Sequence, residues 1–317
     1  MTSARDSLGA VGEQAALARV FPRLPAATAA LLGPGDDCAV LAAPDGRFVV
    51  TTDLMVEGPD FRLAWSTPVD LGWKAAASNL ADVAAMGARP TGLVVALAAA
   101  ASTPVAFLEG LADGLREACA ALAPGCGVVG GDLSRSPTLT IAVTAFGDLE
   151  GRAPVRRSGA RVGDVVGIAG RVGEAAAALA ELFERASDSA GVAQPIDEDL
   201  RRRARAQLRP EPPIPAGVLA ARAGATAMLD VSDGLALDAA RIARASGVAL
   251  DLDPGALGPD PERALAGGED HALLATFPDA AGIPSPFRRV GRVVAGAGGV
   301  LLAGRPLQPR GWDPYRS

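Results

Sequence analysis

Six groups of acids sit beside glycines or close to apolar runs: Gly35-Asp36-Asp37, Thr51-Thr52-Asp53, Asn79-Leu80-Ala81-Asp82, Gly130-Gly131-Asp132, Asp230-Val231-Ser232-Asp233-Gly234 and Gly267-Gly268-Glu269-Asp270. An aspartate at a strand's end, released by glycine into a turn, points a short, stiff side chain into the crevice at the sheet edge. Turn and cap chemistry accounts for any one such group, because Asp and Gly are common turn residues. It does not call for six. If the acids converge, two carboxylates ~4 Å apart repel by about 4 kcal/mol at an effective dielectric near 20, so cations must join them. Oxygen donors without histidine or cysteine choose hard magnesium over zinc or iron, and carboxylate-bound magnesium keeps positions open for water and phosphate oxygens. The chemistry expected is that of a nucleotide held by several magnesium ions.

The scarce residues narrow this further. His271 is the one histidine and Lys74 the one lysine, which removes histidine triads and multi-histidine metal sites. Lys74 follows Trp73 rather than glycine, so there is no P-loop, and no DFG or HRD element exists for a protein-kinase site. Gly125-Cys126-Gly127-Val128-Val129-Gly130 matches GxGxxG in form but precedes a strand instead of linking strand to helix. Gly170 and Gly173 lie between a strand and a helix, where backbone amides either meet an anion or simply open the helix. A net charge of −6 argues against nucleic acid as the partner. Cys38, Cys119 and Cys126 have no pairing or metal spacing and are expected to be reduced, buried thiols. The longest apolar run, Leu93 to Ala101, is too short for a bilayer, and the first ten residues lack a leader's pattern. A cytoplasmic protein with no membrane contact is expected.

These groups need elements to hold them. Strands are expected at 48–52, 92–98, 128–129, 138–146, 164–169, 227–231 and 248–252. Helices are expected at 68–86, 104–122, 174–184, 199–209 and 235–246, with the prolines at 210–215 closing the fourth. At 317 residues this alternation predicts an α/β (α+β) fold in two domains, residues 1–150 and 151–317.

The ordered set GDDCAVL (35–41), TTDLMVEG (51–58), DLGWKAAASNLADVAAMGA (70–88), GGD (130–132), RSGARVGD (157–164), DVSDGL (230–235) and GGED (267–270) resembles the thiamine-monophosphate kinases. That family belongs to the ATP-binding superfamily of aminoimidazole ribonucleotide synthetase. The resemblance implies an N-terminal α/β domain that pairs in a homodimer, a C-terminal α/β domain, and ATP between them. It makes Asp37, Thr51, Thr52, Asp53, Asp82, Asp132, Asp230 and Asp233 magnesium ligands. Gly131, Asp132, Arg157 and Ser232 become ATP contacts, and Asp53, Asp132 and Arg157 the residues at the reacting centre. Glu269 and Trp312 match substrate contacts, as does Asp60, which stands in Gly58-Pro59-Asp60-Phe61 where the family carries a histidine. A second departure is Arg209-Pro210-Glu211-Pro212-Pro213, which lacks the closing arginine of the family's RPxPR stretch. The activity implied is direct, in-line transfer of the γ-phosphoryl of ATP to thiamine monophosphate. Another ATP-using activity of the superfamily, or a catalytically silent nucleotide-binding dimer, is the alternative. His271, beside the GGED acids, is expected to be structural.

Overall fold

The computed structural model describes residues 6–32 and 39–312, so Asp36, Asp37 and Cys38 lie outside the described residues. The chain divides into two compact units. One holds Met1–Leu80, Pro90–Asp148 and Leu182–Arg202, the other Ala81–Arg89, Leu149–Glu181 and Arg203–Ser317.

In the first unit, helices α1 (Leu8–Val11) and α2 (Glu13–Val20) precede a ribbon of β1 (Ala30–Leu32) and β2 (Val40–Leu41). Then come β3 (Val49–Val56), α3 (Pro68–Ala85), β4 (Arg89–Ala99), α4 (Val105–Leu122), β5 (Val128–Arg135) and β6 (Thr140–Asp148). These strands form one sheet in the order β3-β6-β4-β5. The outer pair β4 and β5 is parallel and joined through α4, the crossover that parallel strands require. Helices α3 and α4 touch at glycines: a Cβ on Gly72 would lie 2.1 Å from the Leu111 carbonyl, and one on Gly114 2.1 Å from that of Val69. That close approach fixes α4 over the sheet with Leu108, Leu111 and Leu115 buried.

Two acid groups expected at strand exits lie inside strands instead. Exposed Val50, Thr52 and Leu54 alternate with the more covered Thr51, Asp53 and Met55, and the pairing with β6 carries on through Asp53 opposite Val143. Gly131 and Asp132 likewise sit within β5, opposite Val95 and Ala96 of β4. Pairing with a full-length neighbour overrides the local turn tendency of Asp and Gly.

The second unit contains β7 (Val165–Ala169), and the chain then runs through α5 (Glu174–Arg185), α6 (Glu198–Arg203), α7 (Arg205–Leu208), α8 (Ile214–Arg222), β8 (Ala227–Val231), α9 (Leu235–Ser246), β9 (Ala249–Leu252), α10 (Pro261–Ala266), β10 (Ala272–Phe277), β11 (Arg288–Val294), β12 (Val300–Leu302) and β13 (Arg305–Leu307). Its sheet runs β13-β12-β9-β11-β7-β10-β8, antiparallel except for β12 beside β9. Val166, Ile168, Leu229, Leu250, Leu274 and Val293 from the sheet pack with Leu235, Ala239 and Ile242 of α9 in one core. The single helix expected over 199–209 is broken at Ala204 into α6 and α7. The proline cluster that closes it also opens α8, since Pro215 sits in that helix's first turn, where its missing N–H is not needed.

Candidate active site

Strand β8 lies at the edge of the seven-stranded sheet and delivers Asp230, after which Ser232, Asp233 and Gly234 turn the chain into α9. Gly234 has φ 122°, a conformation that favours glycine. Asp230 is buried, with Oδ2 3.1 Å from Nδ1 of the buried His271. Asp233 takes Nη2 of Arg241 at 2.6 Å, and Nη1 of the same guanidinium binds Asp238. Asp238 also accepts the backbone N–H groups of Ser232 and Asp233, each at 3.1 Å. Burial pushes its carboxyl up to about 6, against the pull of Arg241.

Two distant segments are laced onto this turn through the backbone. Glu269 N–H donates to the Ser232 carbonyl at 2.8 Å, and Trp312 N–H donates to that of Asp233 at 2.8 Å. A Cβ on Gly311 would fall 2.1 Å from the Asp233 carbonyl, so this approach needs glycine. Positions 230–233, 269 and 312 therefore meet, with Trp312 55% exposed. Glu269 (φ 66°) and His271 (φ 52°) both hold left-handed backbone, which costs a non-glycine residue about 1 kcal/mol and concentrates at functional sites. Between them, buried Asp270 accepts the N–H groups of Gly173 at 2.6 Å and Ala175 at 2.8 Å. The anion at the glycine turn before α5 is thus the protein's own carboxylate, which burial pushes up from its ordinary value.

Arg157 is exposed, and its carbonyl accepts from Ser246 Oγ at 3.1 Å. Met228 N–H donates to the adjoining Arg156 carbonyl, which puts Arg157 beside the start of β8 rather than the end that carries Asp233. Asp82 is half-buried on α3.

In the first unit, Thr51 and Asp53 share a face of β3 and Thr52 takes the other, donating to the Val143 carbonyl at 3.0 Å and accepting from Thr144 at 3.1 Å. Asp132 is exposed on β5 and accepts from Ser134 Oγ at 2.8 Å. Strands β6 and β4 lie between β3 and β5, so three strand spacings, roughly 14 Å, separate Asp53 from Asp132. Asp60 closes its own turn by accepting Val56 N–H at 2.7 Å.

Gly130, Gly131 and Asp132 border a largely apolar cavity of about 130 Å³, walled by Leu108, Leu111 and Leu115 of α4 and by Leu17 and Phe21. Ion pairs from Arg19 to Glu109 (2.7 Å) and from Arg23 to Asp113 (2.6 Å) hold that N-terminal wall on α4. The two glycines differ. A Cβ on Gly131 would lie 2.1 Å from the Val95 carbonyl, whereas one on Gly130 meets nothing within 4 Å among the described residues. Gly131 is required by strand packing, and Gly130 leaves the open space.

Among the described residues no three acids, histidines or cysteines form one metal-holding group. The donors themselves are carboxylate and hydroxyl oxygens, which fit a hard divalent cation. Sequence patterns gave no sign of the cavity wall or of Gln207, whose amide donates to Glu269. Arg241 was legible in principle from its i, i+3 spacing to Asp238 at a helix start. Cys119 and Cys126 are buried cysteines outside any disulfide, and among the described residues no helix is long and apolar enough to cross a membrane.

Comparison with known proteins adds an independent line. Residues 35–149 match the family model described as AIR synthase related protein, N-terminal domain. The chain is 44% identical over 325 residues to a thiamine-monophosphate kinase of Mycobacterium tuberculosis, covering 98% of this chain and 93% of that protein. It is 42% identical to that of Corynebacterium glutamicum over 82% of this chain and 80% of the other. Among solved structures, the thiamine-monophosphate kinase of Stenotrophomonas maltophilia superposes with TM-score 0.75 at 32% identity, over 93% of this chain and 96% of that one. A structure described as AaThiL complexed with AMPPCP and TMP superposes with TM-score 0.73 at 32% identity, over 84% and 86%.

Proposed function

The chain belongs to the thiamine-monophosphate kinase family, and from that premise we propose that it transfers the γ-phosphoryl of ATP to the phosphate of thiamine monophosphate, giving thiamine diphosphate and ADP. The observation that supports the reading is the lacing of Glu269 and Trp312 onto the Ser232-Asp233 turn, which brings those two side chains to the segment that carries Asp230 and Asp233.

The cavity beside Gly130 and Gly131 receives the adenine; holes of about 150 Å³ accept an aromatic ring. Asp37, Thr51, Asp53, Asp82, Asp132, Asp230 and Asp233 would hold magnesium, with Thr52 the poorest match because its hydroxyl points to the other face of β3. Bound magnesium would neutralise the facing phosphates and keep them in line. Asp53 and Asp132 would orient the polyphosphate through the magnesium they hold, Ser232 would contact it, and Arg157 is the weakest match to a role at the transferring group, because its backbone lies beside the start of β8. The acceptor phosphate is already deprotonated at neutral pH, so no general base is needed, in keeping with His271 being occupied by Asp230. Glu269 and Trp312 hold the cationic heterocycle by charge and ring stacking. Asp60 lies in the substrate set with one oxygen committed to its turn.

Residues 1–150 would be the ATP- and magnesium-binding and dimerisation domain, to which residues 151–317 add Asp230, Asp233, Ser232 and Arg157 together with the substrate contacts Glu269 and Trp312. Strand β3 is an edge strand with Val50 and Leu54 exposed, a surface suited to a second copy of the chain in a cytoplasmic homodimer. The test is product formation from ATP and magnesium with and without thiamine monophosphate. Thiamine diphosphate appearing in step with ADP is expected, and removal of magnesium should abolish it. Nucleotide binding with no turnover would replace the kinase reading by that of a silent relative.

A further inference from the structure

Gln207 lies on α7, between two arginines and a proline-rich loop, in a stretch that no functional motif covers. Its side chain is 6% exposed, and Nε2 donates to Oε2 of Glu269. A carboxylate only accepts hydrogen bonds, so this contact fixes the amide with its nitrogen toward Glu269 and its oxygen away. That oxygen, Oε1, is buried without a hydrogen-bond partner among the described residues. A buried acceptor left unpaired works against stability. The fold therefore tolerates a poor position for one end of the amide in order to keep the other end on Glu269.

The backbone around Glu269 is held as well. Its backbone is left-handed, its N–H is committed to Ser232, and the next residue, Asp270, is anchored on Gly173 and Ala175. The backbone thus sets where the side chain starts, and Gln207 sets where the carboxylate ends. We propose that Gln207 is a positioning residue for thiamine monophosphate specificity, holding the Glu269 carboxylate in the rotamer that meets the cationic substrate. The proposal rests on Glu269 being a substrate contact.

The two claims separate in a double-mutant cycle of Gln207→Met and Glu269→Ala, read as KM for thiamine monophosphate, KM for ATP, kcat and Tm. Glu269→Ala alone should raise the thiamine monophosphate KM by about tenfold or more; no change there removes the reading of Glu269, and the inference with it. Gln207→Met should raise the same KM about tenfold, leave KM for ATP and kcat within twofold, and keep or raise Tm, because an unpaired buried oxygen is gone. Added to Glu269→Ala it should change nothing further. An unaltered KM in Gln207→Met while Glu269→Ala is impaired overturns the inference, as does an equal KM rise in both backgrounds. A loss of several degrees of Tm in both Gln207→Met and Gln207→Leu overturns it too, since the amide would then be serving the fold.

Discussion

The acids of the seven-stranded unit arrive with counter-groups built in: Asp230 has His271, Asp233 has Arg241, Glu269 has Gln207, and Asp270 has two backbone N–H groups. On the four-stranded unit Asp132 stands exposed beside a serine hydroxyl. The difference teaches how one protein handles two kinds of carboxylate. The partnered acids hold the shape of the turn, and on the proposed reading Asp230 and Asp233 would take magnesium only by sharing their carboxylates with His271 and Arg241. Asp132 has a hydroxyl beside it rather than a cation, which leaves its charge open to an ion from outside.

The largest effect should come from the exposed side of that contrast. Asp132→Asn is expected to lower turnover about 1000-fold while the melting curve stays within a degree, the range seen when one charge-stabilising group leaves a transition state; near-normal turnover would put Asp132 outside the site. On the partnered side, Arg241→Met leaves Asp238, with its side chain 1% exposed, without its cation. Chemical denaturation should show a loss of about 3 kcal/mol, since breaking a buried pair strands the other charge. A stability change under 0.5 kcal/mol, a threshold set by ordinary surface substitutions, would show that Asp238 needs no partner.

The two neighbouring glycines sharpen the contrast further. Gly131→Ala should destabilise by about 2 kcal/mol, because its Cβ collides with the Val95 carbonyl. Gly130→Val should fold normally and raise KM for ATP about tenfold by filling the cavity. The reverse pattern would move the nucleotide elsewhere. The smallest effect is expected at Glu150, whose carboxylate takes Arg152 at 2.8 Å, Arg89 at 3.0 Å and Arg222 at 3.2 Å. Arg152 and then Arg89 hold this carboxyl below its usual 4.5. A depressed acid adds stability above its unfolded value and loses it as pH falls through the folded one. Glu150→Gln should therefore cost under about 1 kcal/mol at pH 7 and nothing at the acid end, with the difference shrinking in high salt. A penalty that persists below pH 3 would mean that charge is not its cause.

Much of the candidate site could be proposed from the sequence because its residues are of types that do little else at such spacings. The aspartates at 53, 132, 230 and 233, with one histidine and one lysine in the whole chain, limited the chemistry to oxygen donors, cations and phosphate. The order of the motifs named the family. The helices at 174–185 and 235–246 were legible from their periodicity, since each buries one stripe, whereas the helix at 68–85 is buried almost all round.

Other features depended on pairing and packing between distant segments. A strand's length is set by its neighbour, so β3 and β5 ran through acids that looked like exits. Gly130 and Gly131 are adjacent and chemically identical, yet one faces a cavity and the other a carbonyl, a distinction that belongs to β4. Gln207 carries no motif, and what it does is decided by Glu269, 62 residues away. Composition and order can specify which atoms are available for a reaction, because those are properties of single residues. Which of them are already satisfied is a property of contacts, and contacts exist only in the folded chain.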